Sequence, residues 1–135
     1  MPRLSVWLVR SAFLSLAMGF LIGAGLLSAP ALGVYPQLAP LRPLHIELLI
    51  TGWLIQLAFG VGYWILPRHR QGAERGDPAL GWLVHGLLNG GVVLVGLGPL
   101  VAAGQVPVLL GRLAEIAAMA CFFSLMWTRI KAFGR

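Results

Sequence analysis

The sequence predicts an all-α, polytopic membrane protein: a bundle of four transmembrane helices with both termini in the cytoplasm. Three observations predict it. Of 135 residues, 59% are hydrophobic and only 10% are charged, against about 25% charged in an ordinary soluble domain. The mean hydropathy is +0.86. The charged residues also flank long apolar blocks instead of mixing into them. So few charges cannot clothe the surface of a soluble domain this small. The same composition excludes a disordered, collagen-like or coiled-coil chain.

Crossing the hydrocarbon layer takes about 20 apolar residues in a helix. Four blocks supply them within one domain, 1–135. The first spans about 4–27. Arg3, Arg10 and the small residues Ala29-Pro30-Ala31 give it some look of a signal peptide. Its apolar run, Ser11 to Leu27, is longer than the usual signal core, so a retained helix is expected. The second block spans about 43–66, with Pro43 in its first turn and Pro67 as its stop. The third spans about 78–101, opened by the N-cap Asp77 and by Pro78. The fourth spans about 106–128, with Pro107 in its first turn. Between the first two blocks, Pro30, Pro36 and Pro40 rule out one regular helix from Ser28 to Arg42. A tight turn near Gly104 and Gln105 makes the last two helices antiparallel neighbours.

Orientation follows from the basic residues. Four spans put Arg3, Arg10, Arg68, Arg70, Arg75, Arg129, Lys131 and Arg135 on one side and only Arg42 and Arg112 towards the other. The positive-inside rule makes the first side cytoplasmic. These charges serve topology, and no nucleic-acid partner is expected. The lipid bilayer is the partner, most naturally a prokaryotic inner membrane. Cys121 is the single cysteine, which excludes an intrachain disulfide and a thiolate zinc site. It is expected to be a small buried hydrophobe.

Ionisable groups inside a membrane are costly and mark candidate sites. Here they are His45, Glu47, His85, Arg112 and Glu115. His69 falls in the basic loop and reads as solvated. On a helix, the face of His45 continues through Leu49, Gly52, Gln56, Gly60 and Tyr63. Glycines below a histidine leave a groove in which a porphyrin could lie, its iron on the imidazole. The alternative is a histidine bonded at the interface, with glycines that serve helix packing. Arg42 is an interfacial anchor or a partner for haem propionates. Glu47 points to the other side of the helix, where Arg112 is a ready ion-pair partner. Arg112 and Glu115, three apart, can also pair with each other. His85 shares a face with Trp82 and Asn89, as a helix–helix hydrogen bond, a proton path or a second cofactor site. Its depth differs from that of His45 by over ~10 Å at about 1.5 Å per residue, so the two do not clamp one iron.

The stretch from Leu44 to Leu100 carries a resemblance. His45 stands near a helix start, followed by Gly52 and by Phe59-Gly60-Val61-Gly62-Tyr63-Trp64-Ile65-Leu66-Pro67. A short loop ends in Asp77-Pro78, and Trp82 follows. This pattern resembles the second and third helices of haem-copper oxidase subunit I, over somewhat under half of the chain. The resemblance implies that His45 is an axial ligand of a haem, with b-type expected. It implies no complete oxygen reductase, because the family's three copper-binding histidines have no counterpart here. That family's core has twelve helices in three groups of four. The resemblance therefore favours a homotrimer, with His45 at one subunit boundary and Glu47 facing the next.

The expected cofactor site is His45 as metal ligand, with Arg42, Glu47, Gly52, Gln56, Gly60, Tyr63 and Arg112 around the haem. The expected function is electron transfer or binding of a small gas such as nitric oxide or dioxygen. The alternative is a non-catalytic accessory subunit of a respiratory membrane complex. A small proton-coupled transporter fits less well, because Glu47 and Glu115 both lie near the outer end.

Overall fold

A computed structural model of the chain describes residues 1–67, 76–101, 105–127 and 129–130. The described residues are helical, with no strand among them. Four helical stretches are long and apolar enough to cross a membrane: Arg3–Ser28, Tyr35–Ile65, Pro78–Leu100 and Val106–Trp127. Their outward faces are apolar, with Phe13, Leu21, Leu27, Ile116 and Phe123 all more than half exposed. Lipid tails satisfy such a surface and water does not.

Helix α1 is Arg3–Ser28. The chain turns at 29–33, with Gly33 at φ 70°, a conformation that glycine adopts without strain. The second span starts earlier than the expected Pro43 and is built in pieces. These are α2 (Tyr35–Leu38), a 3₁₀ turn (Ala39–Leu41), α3 (Arg42–Glu47), a π-helical segment (Leu48–Ile55) and α4 (Gln56–Ile65). Pro36, Pro40 and Pro43 each sit in the first turn of a new piece. An amide there has no partner to lose, so Pro43 opens a helix as expected, and Pro36 and Pro40 also start helices where the sequence reading took them as breaks. Leu66 is extended (ψ 144°), as a residue before proline must be.

The third span is α5 (Pro78–Leu97) with a closing 3₁₀ turn, Gly98–Leu100. Asp77 caps it by accepting from the Ala79 amide at 2.9 Å. The fourth is α6 (Val106–Trp127). Gly104, Thr128, His69 and the basic residues Arg68, Arg70, Arg75, Lys131 and Arg135 lie outside the described residues.

The spans alternate in direction. Leu4, Leu8, Tyr63, Leu125 and Met126 form a core cluster at the end that holds the start of α1 and the close of α6. Leu44, Leu48 and Val92 form another at the opposite end. Val84, Leu88 and Ala118 fill the α5–α6 seam, beside the stacked rings of Phe59 and Phe122, 3.8 Å between centroids.

Small residues set the spacing. A Cβ at Gly91 would lie 3.0 Å from the Gly111 carbonyl oxygen, and one at Gly111 would lie 3.0 Å from that of Gly91. Helices α5 and α6 therefore touch backbone to backbone, the approach that small residues permit in membranes. The expectation of antiparallel neighbours holds. Gly91→Ala should lower stability by about 1–3 kcal/mol, the usual cost of overpacking. Thermal unfolding in detergent checks this against Gly90→Ala, whose added Cβ meets nothing within 4 Å.

Arg129, read from sequence as a topogenic charge, is fully buried. Its guanidinium donates to the carbonyls of Tyr63 (2.9 Å), Leu66 (2.7 Å) and Pro67 (2.9 Å). Those are the orphan acceptors at the end of α4 and its exit. The guanidinium carbon also lies 5.2 Å from the Tyr63 ring centre. Arg129→Ala strands these carbonyls and should cost about 2–4 kcal/mol. Arg129→Lys should recover only part of the loss in the same unfolding assay, because an ammonium lacks the planar fork.

Candidate functional site

His45 stands on α3 and packs against α1. Its Nδ1 lies 2.8 Å from the Gly19 carbonyl oxygen. A carbonyl only accepts, so Nδ1 carries the hydrogen. In the neutral imidazole the lone pair is then on Nε2, the atom that binds a metal or accepts a proton. Gly23 makes room for the ring: a Cβ there would come 2.5 Å from His45 Cε1 and 3.4 Å from Nε2. The hydrogen bond to Gly19 and the notch at Gly23, one turn apart on α1, seat the imidazole against that helix.

Two hollows meet at this ring. One, of about 300 Å³, is lined by Gly23, Leu26, Leu27, Tyr35, Arg42 and His45. The other, of about 520 Å³, is lined by Phe20, Gly23, Ala24, Leu27, His45 and Leu49. His45, Gly23 and Leu27 line both. Each volume falls in the range of small-molecule sites, roughly 300–1,000 Å³. Apart from His45 the larger hollow is lined by apolar residues, and Arg42 and Tyr35 line the smaller one.

The structure does not bring the rest of the His45 stripe into an open groove. A Cβ at Gly52 would lie 2.8 Å from Ser15 Oγ, and one at Gly60 would lie 2.9 Å from Val9 Cγ2 and 3.1 Å from Leu8 Cβ. Helix α1 already fills the channel that the glycines leave. Ser5 also donates its hydroxyl to the Gly60 carbonyl. Gln56 is fully buried and donates to Asn89 Oδ1 at 3.4 Å. Tyr63 is buried beneath Arg129. Gly52, Gln56, Gly60 and Tyr63 therefore serve helix packing, the alternative that the spacing had left open. The hollows lie instead on the α1 side of His45, where Arg42 and Leu49 from its own helical face meet α1 residues that periodicity around His45 could not supply.

Glu47 and Arg112 are also placed elsewhere. Glu47 is 3% exposed and its Oε2 lies 2.8 Å from Arg112 Nη2. Arg112 Nη1 donates to Glu115 Oε2 at 2.8 Å. Both expected ion pairs thus form at once on one guanidinium. Glu47 faces the interior of its own bundle, towards α6. His85 Nε2 lies 3.1 Å from Ser11 Oγ, its ring edge-on to Trp82 at 5.8 Å, and its carbonyl accepts from Asn89 Nδ2 at 2.8 Å. It joins α5 to α1, the helix–helix bond that was one of its expected roles. Cys121 is partly buried on α6, beside the Val84 cluster.

Comparison with protein families, curated proteins and solved structures finds no match. The resemblance to haem-copper oxidase subunit I rests on the residues quoted above. Among the described residues no three His, Cys, Asp or Glu side chains gather as a metal site.

The tautomer is testable directly. NMR of isotope-labelled histidine should show His45 protonated at Nδ1. Gly23→Val should abolish that signature by displacing the ring, while the His85 signal stays. A His45 protonated at Nε2 in the wild type would contradict the geometry.

Proposed function

We propose that this protein binds a haem at His45 and uses it for electron transfer or for holding a small gas. The observation that carries the reading is the Nδ1 to Gly19 carbonyl hydrogen bond, 2.8 Å long, on a ring that lines two apolar hollows. Metal-bound histidines are almost always held by such a bond from the other ring nitrogen, which fixes the tautomer and raises the ligand's basicity. A neutral imidazole donor suits ferrous and ferric iron.

The residues present fit the group. His45 Nε2 would ligate the iron. Phe20, Leu26 and Leu27 would cover the ring faces and keep water from them. Arg42 and Tyr35 on the rim would hold the propionates, Arg42 through a charge-assisted fork. Tyr35 was not among the residues expected from sequence; only the helical start at Tyr35 brings it near. The chain's single cysteine gives no CxxC pair for covalent attachment, which favours a b-type haem. When bound, the haem supplies a one-electron couple and, with an open sixth position, a site for a diatomic ligand.

The resemblance also favours a homotrimer in a prokaryotic inner membrane, with the end holding both described termini in the cytoplasm. In such an assembly a neighbouring copy would cover the hollows beside His45. The reading excludes dioxygen reduction by this chain alone, since the oxidase family's copper ligands have no counterpart.

Haem reconstitution tests the reading. The purified protein should give a Soret band and a reduced-minus-oxidised cytochrome b spectrum. His45→Ala should abolish both and His85→Ala should leave them. Arg42→Ala should weaken haem retention roughly tenfold, about 1.4 kcal/mol. No Soret band after expression with ample haem, or a band indifferent to His45→Ala, would sink the proposal.

A further inference from the structure

One face of α1 carries charge that the bundle does not answer. Arg3, Trp7, Arg10, Leu14 and Leu21 follow one another at helical spacing and share an outward stripe. All five are exposed, Trp7 at 50%, Leu14 at 63% and Leu21 at 75%. The other face packs inwards, with Leu4, Ser5, Leu8 and Ala12 buried. From Leu14 onwards the stripe is apolar, as a surface against lipid tails must be. Its first two turns are not.

The Arg10 guanidinium carbon lies 5.9 Å from the centre of the Trp7 ring, within cation–π range. Trp7 stands one turn nearer the start of the helix, so the Arg10 side chain reaches back along α1 towards Arg3. A long basic side chain takes its charge out of hydrocarbon in this way. Tryptophan is also a residue type that settles at headgroup level. The stripe therefore crosses from headgroups to acyl chains between Arg10 and Leu14.

These two arginines have no protein counter-charge in reach. The first acid in the chain is Glu47. Glu47 and Glu115 are both held by Arg112, beyond the cluster of Leu44 and Leu48 at the opposite end of the bundle. Asp77 accepts from the Ala79 amide, and Glu74 lies outside the described residues. Among the described residues neither Arg3 nor Arg10 meets a carboxylate. At the edge of the hydrocarbon the acceptor at hand is phosphate, whose oxygens match the guanidinium fork. A zwitterionic headgroup brings its own cation and leaves both arginines unbalanced. A headgroup with net negative charge offsets them.

We propose that Arg3, Trp7 and Arg10 bind the headgroup of an anionic phospholipid. The phosphodiester meets the guanidiniums, the Trp7 ring packs beside the glycerol, and the chains run along Leu14 and Leu21. The site rests on α1 alone and needs no haem.

Fluorescence quenching tests it on the purified protein in phosphatidylcholine vesicles that hold a minor share of phosphatidylglycerol with brominated chains. The Trp7 signal is read as the difference between the wild type and Trp7→Phe. Trp7 should be quenched well beyond the mole fraction of the brominated lipid. Arg10→Gln should lower that preference about fivefold, the usual effect of one basic residue near an anionic surface. Arg3→Gln combined with Arg10→Gln should abolish it. Both variants should keep the wild-type Tm, because the two side chains are exposed. Quenching in simple proportion to mole fraction overturns the proposal, as does an excess that survives the double variant. An equal excess with brominated phosphatidylethanolamine overturns it too, by assigning the contact to any phosphate and not to net negative charge.

Discussion

Hydrocarbon offers no water to an orphan polar group, so each one inside the bundle must be met by the protein itself. That constraint organises the interior. Ser5 reaches the Gly60 carbonyl, Ser11 meets His85, and Asn89 meets both Gln56 and the His85 carbonyl. Arg129 gathers the carbonyls at the exit of α4. His45 gives its Nδ1 hydrogen to Gly19. Most of these bonds join one span to another, so they fix register as well as satisfying groups. The candidate site follows from the same rule: once Nδ1 is committed to α1, Nε2 is left as the lone-pair nitrogen of the neutral ring.

Glycine makes those bonds geometrically possible. Along α1, Gly19 and Gly23 face Leu49 and His45; along the second span, Gly52 and Gly60 face Ser15 and Val9. The two helices therefore interlock along their length, and the ring of His45 is one more side chain seated in a glycine notch. The π-helical segment Leu48–Ile55 contains Gly52 and separates His45 from Gly60. The backbone N–H of Gln56 donates to the Thr51 carbonyl, five residues back. Such widened turns often occur at functional sites. Here the segment buries Thr51 and Gly52 together while Glu47 stays directed towards α6.

Much of the fold was legible in the sequence because spans in lipid are nearly pure hydropathy and length. The four spans, the Asp77 cap, the alternation of direction and the ion pairs of Arg112 were all readable from spacing. The start of the second span was not, because Pro36 and Pro40 have the same appearance whether they break a helix or open one. Nor was the π-helical segment, which has no composition of its own. At the candidate site His45, Arg42 and the neighbouring Leu49 were legible, but Tyr35 and the residues that α1 contributes were not. Periodicity reports which residues share a face of one helix; it cannot say which neighbouring helix fills that face. Helix α1 occupies the glycine channel and brings Phe20, Leu26 and Leu27 to the ring, while Tyr35 arrives through the early start of the second span. The burial of Arg129 was illegible for a similar reason, since the carbonyls it meets belong to a distant part of the chain.

The central claim is that His45, held by Gly19, is the ligand this chain offers to a haem iron. Pulsed electron paramagnetic resonance on haem-loaded protein with isotope-labelled histidine tests it at the iron itself. The account predicts hyperfine coupling to the histidine nitrogen in the wild type and its loss in His45→Gln. A haem that shows no histidine coupling, or a coupling that persists in His45→Gln, would contradict it.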